Sequence, residues 1–278
     1  MTDYKSILVH YDAGKTAPAR LETAIEIANT HGAHIACLYA LSAVPAPSYA
    51  YEATEIMREA AQRIRAEMLA AARRGYDECL RRTGFDRAEW RASETDARVA
   101  VTSQARYADL VVIGQKNPEW PSGVDQEFER SVPLAVGRPV LVVPYAFERR
   151  PVGHRVMIAW NASRESARAV SDALPLLKRA GHVHVVAFRP EKSDAAHGEE
   201  PGADIALYLT RHGVKVTVSR YDAPDVDVGN QLLSRAFDLS ADLIVMGAWG
   251  HSRLREFVLG GVTRTLLESM TVPVLMSH

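Results

Sequence analysis

Cysteine is almost missing from this chain: only Cys37 and Cys79 occur in 278 residues, with no C-x-x-C pair and no histidine at ligand spacing from either. That excludes a disulfide scaffold and a cysteine-based zinc site, and it predicts two free thiols of a reducing compartment. Net charge is nearly absent as well. With 33 basic residues against 34 acidic ones, no bulk field draws in nucleic acid or an anionic membrane, so any anion must be held by a local site. No apolar run approaches the roughly 20 residues of a membrane helix, and the start MTDYKSILVHYD enters a strand pattern without the basic and apolar regions of a secretory signal. A cytoplasmic protein is the expectation. Also missing are a Walker Gly-Lys-Ser/Thr loop, a Gly-x-Gly-x-x-Gly turn after the first strand and a Gly-x-Ser-x-Gly elbow. No general base is placed by the sequence, so no enzyme is expected, slow ATP hydrolysis being the one activity left open.

What is present is a repeat. Ala108-Asp-Leu-Val-Val-Ile-Gly114 returns as Ala241-Asp-Leu-Ile-Val-Met-Gly247. Arg138-Pro-Val-Leu-Val-Val143 matches Val272-Pro-Val-Leu-Met-Ser277, and Ser6-Ile-Leu-Val-His-Tyr-Asp12 parallels Arg155-Val-Met-Ile-Ala-Trp-Asn161. Three landmarks in one order mean a duplicated domain. The break falls in Tyr145 to His154, where charge, Pro151 and Gly153 interrupt the apolar periodicity, giving domains 1–147 and 148–278. In each half, short strands that are apolar throughout alternate with helical spacing, such as Leu21, Ala24, Ile25 and Ala28, or Val170, Ala173, Leu174 and Leu177. The first half adds a long amphipathic helix over about 54–82, read as a covering helix with a solvated face. This order predicts two tandem doubly wound α/β domains, each a five-stranded parallel-type sheet with helices on both faces.

In such sheets ligands settle at the carboxyl ends of the strands and anions at the N-terminus of the following helix. The fourth strand of the second half runs into Gly247-Ala-Trp-Gly250, then nine residues, then Gly260-Gly261-Val262-Thr263. Glycine at 247 and 250 lets the backbone approach a ligand with no Cβ in the way, and the amides of Gly260 and Gly261 head a predicted helix over 262–270. Amides and helix dipole together make an anion site that needs no lysine. Thr263 alone reads more simply as a helix cap, and Asn161 equally as a residue holding its own turn. Trp249 and His251 flank the loop, and exposed loop positions are their simpler reading. His182 and His184 share a strand face, yet with no third ligand in sight they read as structural, like His10, His31 and His34.

The spacing Gly, two residues, Gly, nine residues, Gly resembles that of the ATP-binding universal stress proteins, and the resemblance extends along the chain twice. It is strongest over 241–278, including HSRLREFVLGG, and fainter over 1–150. It implies a stress-linked protein that binds ATP or another adenine nucleotide, with an unidentified protein partner, no settled reaction and no dealings with nucleic acid or membrane. The alternative is a signalling or interaction module of the same fold that works without nucleotide. The resemblance places Gly247 by the ribose, Gly250, Gly260, Gly261 and the Val262 amide around the phosphates, Thr263 as a further hydroxyl, Asn161 at the end of the first strand and Phe188 where backbone meets adenine. Gly261 stands where that pattern has Ser or Thr, and Asn161 where it has Asp. The second change removes a carboxylate that would help hold Mg²⁺, so weak metal-assisted binding is expected and Mg²⁺ itself is left open. In the first half Asp12 is present, but Gly114-Gln-Lys-Asn117-Pro118-Glu-Trp-Pro121, with Asp125, Glu127 and Glu129, replaces the glycine loop. Prolines remove donors and carboxylates repel an anion, so that half is expected to bind no ATP and to serve as a structural partner. The family's homodimers pair their last strands. The resemblance therefore implies an internal pseudo-dimer through Val140 to Val143 and Val274 to Met276, with a further homodimer left open.

Overall fold

The computed structural model describes residues 3–41, 55–117, 124, 127–147, 151–189, 202–222, 227–248 and 261–278. The first half contains β1 (Ser6–Tyr11), α1 (Ala17–His31), β2 (His34–Tyr39), α2 (Glu55–Thr83), β3 (Ala88–Ala92), α3 (Ala97–Ala105), β4 (Leu110–Gly114), α4 (Phe128–Ala135) and β5 (Val140–Val143). The second contains β6 (Arg155–Trp160), α5 (Arg164–Leu177), β7 (His182–Arg189), α6 (Ala203–Arg211), β8 (Val216–Asp222), α7 (Val228–Asp238), β9 (Leu243–Gly247), α8 (Gly261–Ser269) and β10 (Val274–Ser277). The strands form one ten-stranded sheet, β3-β2-β1-β4-β5-β10-β9-β6-β7-β8. Within each half every pairing is parallel, as expected for strands apolar throughout and covered on both faces. The doubly wound α/β class read from the sequence is the class observed.

Local chemistry explains where the helices begin. The Asp96 side chain accepts from the amides of Arg98 and Val99, Ser163 from Ser166, and Asp227 from Gly229, each cap being worth about 1 kcal/mol. Helix α1 stops at Gly32, whose φ of 64° lies in the left-handed region that glycine enters without penalty. Alternate strand residues divide between two cores. Val9, Val112 and Val245 face α1 and α5, while Val111, Ile244 and Met246 face the layer of α3, α4, α7 and α8.

The halves join through their last strands. β5 and β10 pair antiparallel, with Val142 opposite Val274, Leu141 opposite Leu275 and Val140 opposite Met276, all six fully buried. This is the internal pseudo-dimer contact that the resemblance implied. It removes two sheet edges that would otherwise invite pairing with another chain. Polar contacts accompany it. Gln115 Nε2 donates to the Leu267 carbonyl at 2.7 Å, the Tyr4 hydroxyl donates to the Asp172 carbonyl at 2.8 Å, and Arg130 meets Glu268 at 2.8 Å. Cys37 and Cys79 are both buried and unbridged, and burial pushes the Cys37 thiol well up. Among the described residues no helix is long and apolar enough to cross a membrane.

Candidate functional site

The two halves place equivalent residues at the carboxyl ends of their central strands, so the sites can be built side by side. In the first half Asp12 follows β1 and Gly114 closes β4. Asp12 is 4% exposed. Its Oδ1 accepts from the Gly14 amide at 2.8 Å, and its Oδ2 pairs with Arg20 Nη2 at 2.9 Å. Burial alone would raise this carboxyl, but Arg20, His10 and the Gly14 amide outweigh it and hold it below its usual value. Arg20 is only 2% exposed, and its guanidinium lies directly over Gly114: a Cβ there would stand 1.8 Å from Nη1. Opposite, the buried Glu129 of the first turn of α4 accepts from the Lys116 amide at 2.5 Å. Its carboxyl is pushed up by burial and only partly brought back by that amide. A guanidinium thus fills the strand end, and a carboxylate takes a loop amide. The remaining cavity, lined by Asp12, Gly114, Gln115, Lys116, Phe128 and Glu129, measures about 10 Å³, room for at most about one water. His10 completes the packing. Its Nε2 bonds the Ala40 carbonyl at 2.8 Å, its ring lies against Phe128, and burial pulls its pKa down to about 4.

The second half is arranged otherwise. Asn161 turns its Oδ1 onto the Ser163 amide at 3.2 Å, holding its own turn as an Asx residue, with Ala162 at a φ of 57°. Ser163 caps α5 through the Ser166 amide at 3.1 Å. Among the described residues, the atoms nearest Gly247 belong to no arginine. A Cβ at that position would instead meet the Glu165 carbonyl carbon and the Ser166 nitrogen, both at 2.6 Å. The glycine is therefore demanded by the close approach of α5 to β9, a reason in the packing that the loop spacing does not reveal. Glu165 is buried, with Arg164 Nε against its Oε1 and, among the described residues, no hydrogen bond at its Oε2. Burial raises this carboxyl, yet contacts from Arg164, its own amide and the Ser163 hydroxyl together hold it below the usual value.

Of the residues singled out from the sequence, Asn161, Gly247, Gly261, Val262 and Thr263 lie on described elements. Phe188 is the penultimate residue of β7, opposite Tyr221 of β8. Gly250 and Gly260, with Trp249, His251, Pro118, Pro121 and Asp125, lie outside the described residues. Helix α8 begins at Gly261, one residue before the expected start, which puts Thr263 inside the first turn instead of ahead of it as a cap. That turn holds no acidic residue, and a Cβ on Gly261 would meet nothing within 4 Å. Its amides, which no intrahelical carbonyl can satisfy, are those of a helix end suited to an anion.

Sequence reasoning did not single out Arg20 or Glu165. A signal for the first exists: Arg20 sits on the apolar stripe of α1 beside Leu21 and one turn before Ala24, where a solvated arginine does not belong. Glu165 carries no such mark. The rings of His182 and His184 lie 4.2 Å apart and tilted by 54°, and His182 Nε2 lies 2.9 Å from the Thr217 hydroxyl. Among the described residues no group of three potential metal ligands occurs.

The profile of the universal stress protein family matches residues 3–144 and again 153–278. No curated relative matches the chain. Among solved structures, a universal stress protein from Archaeoglobus fulgidus DSM 4304 is similar over 98% of this chain and 97% of its own, at 17% identity and a TM-score of 0.65. A functionally unknown protein from Pseudomonas aeruginosa PAO1 is similar over 99% and 92%, at 16% identity and a TM-score of 0.59. These likenesses concern the fold. With both halves matched, nearly end to end, the chain belongs to the universal stress protein family as a tandem member with two such domains.

Proposed function

We propose that this chain is a cytoplasmic stress-response protein that binds ATP or another adenine nucleotide at one site, in its C-terminal half, and catalyses no reaction of its own. The observation that carries this reading is the contrast between the two helix starts. Helix α4 has Glu129 in its first turn, turned onto a loop amide, with Arg20 filling the crevice. Helix α8 has no acid in its first turn and open space at Gly261. An anion is repelled electrostatically and sterically from the first and meets the first-turn N–H groups and the positive end of the helix dipole at the second. The glycine spacing after β9 adds the loop through which family members hold phosphates. Asn161 is engaged with Ser163, and the Glu165 carboxylate already faces Arg164. Binding that depends little on Mg²⁺ fits that arrangement. The first half acts as the structural partner that completes the sheet.

Heat-denaturing the pure protein and chromatographing the supernatant is expected to release adenine nucleotide, or added ATP is expected to raise the melting temperature. Gly261→Asp separates site from fold. The new side chain has room, and an acid in the first turn suits the helix dipole by about 0.3–1 kcal/mol, so stability holds or rises while nucleotide affinity falls at least tenfold. No released nucleotide, no thermal shift and no effect of Gly261→Asp on binding would sink the reading in favour of a nucleotide-independent interaction module.

A further inference from the structure

Helices α3 and α4 of the first half leave between them an open groove of about 430 Å³, whose lining includes Arg98, Val99, Thr102, Arg106, Ser131 and Leu134. Val99 is 56% exposed and Leu134 46%, so apolar side chains face solvent along it. The second half shows that the fold does not impose such a groove. Asp96 accepts from the Arg98 amide and Asp227 from the Gly229 amide, so Arg98 and Gly229 hold the same place at the starts of α3 and α7. At Gly229 a Cβ would stand 2.6 Å from the Thr265 Cβ, and the Thr265 hydroxyl donates to Asp227 at 3.3 Å. Helices α7 and α8 therefore close on each other there. In α3 an arginine takes that place, too large for the same approach, and the gap stays open.

What the groove lacks is negative charge. Arg98, Thr102 and Arg106 follow one another at i, i+4 and i+8 on α3, which sets the two arginines about 12 Å apart along the helix. Neither guanidinium joins an ion pair among the described residues, and Asp96 turns its Oδ1 to the amides of Arg98 and Val99. Arg138 Nη2 donates to the Arg106 carbonyl at 3.0 Å, bringing a third positive charge to that end. Elsewhere on this layer the arginines are matched: Arg130 meets Glu127 and Glu268, Arg264 meets Glu268, and Arg235 meets Asp238. An apolar floor between unmatched cations fits an occupant that is apolar on one side and acidic along its margins. Two packed helices offer a third helix a groove for its own ridges, and carboxylates about eight residues apart on that helix would span the two arginines. An amphipathic helix has the apolar face such a groove takes.

We infer that the groove between α3 and α4 is a docking site for an acidic amphipathic helix of a partner protein. The site is separate from the nucleotide site proposed for the C-terminal half and stands without it. The probe is a fluorescein-labelled helical peptide of about 15 residues, long enough to form a helix when docked, with leucine on one face and glutamate on its flanks. A second peptide carries lysine for every glutamate. Fluorescence anisotropy with the full chain is expected to show saturable binding of the glutamate peptide, weakening as salt is raised, and at least tenfold weaker binding of the lysine peptide. Leu134→Ser, and Arg98→Glu combined with Arg106→Glu, are each expected to weaken the glutamate peptide at least tenfold with the urea midpoint unchanged. No saturable binding of the glutamate peptide, equal binding of both peptides, or undiminished binding by the folded double variant overturns the inference. Saturable binding of laurate with neither peptide bound would give the groove to a small anionic amphiphile and overturn it as well. A dimer of the unmodified chain in sedimentation that Leu134→Ser dissolves would make a second copy the occupant, with the same consequence.

Discussion

The ends of β4 and β9 carry the same glycine after the same apolar strand, yet what stands over the two glycines differs. At Gly114 the missing Cβ makes room for the Arg20 guanidinium, which neutralises Asp12 in the space a ligand would use. At Gly247 it makes room for the backbone of α5, and the helix after the following loop starts with Gly261 and no acid. Two copies of one fold thus diverge in what fills the crevice while the sheet stays common to both. Filling the first crevice with the protein's own charges makes that strand end part of the core.

The largest effect that tests this comparison is expected from Arg20→Ala. Removing one member of a buried ion pair leaves Asp12 uncompensated, at a cost of about 3–5 kcal/mol, read as a lower urea midpoint. Hydrogen exchange is expected to place the loss in β1 and β4 and to spare β6 and β9. Combining Arg20→Met with Asp12→Asn is expected to recover most of it, because a neutral pair of similar volume has no charge to bury. A loss below about 1 kcal/mol for Arg20→Ala would mean that the crevice admits water and that the first site is not closed.

Acid separates the halves next. His10 has its counterpart in Ala159, so only the first half carries a buried imidazole there. Burial, opposed by Asp12 and the Ala40 carbonyl, lowers His10 from 6.5 to about 4. Between those values the unfolded chain binds a proton that the folded one does not, so stability falls as pH falls through that window, by about 3 kcal/mol in all. Unfolding curves at a series of pH values should be shallower for His10→Gln, whose side chain still donates to Ala40 but does not titrate. Superimposable curves for the two proteins would show that His10 protonates in the folded state without resistance.

The architecture was open to reading because it rests on patterns written along the chain. Strands apolar throughout, helices with stripes such as Val170, Ala173 and Leu174, and a repeated ADLVVIG string imply the layers, and the likeness of the last strands to those of the family implied the β5–β10 junction. The contents of the crevices were less open, because they depend on long side chains crossing between elements. Nothing along the chain tells that Arg20 reaches Gly114, that Glu129 turns back to Lys116, or that Glu165 is enclosed. A glycine reports only that a Cβ is not tolerated. Whether a ligand or a helix stands in its place is a fact of three dimensions.

Gly247→Ala tests that last point and is expected to have the smallest effect of the three. A methyl group there meets backbone atoms at 2.6 Å, which neither a rotamer change nor a flexible side chain relieves, so α5 must shift away from β9. Overpacking of this kind costs about 1–3 kcal/mol, and the cost should be present in full with no nucleotide added. Gly261→Asp makes the opposite case, since it is expected to weaken the proposed nucleotide binding and to leave stability intact. If Gly247→Ala instead leaves the urea midpoint unchanged and removes nucleotide binding, then the glycine serves the ligand, as its place in the loop spacing suggests, and α5 has more freedom over β9 than the contacts of Glu165 and Ser166 imply.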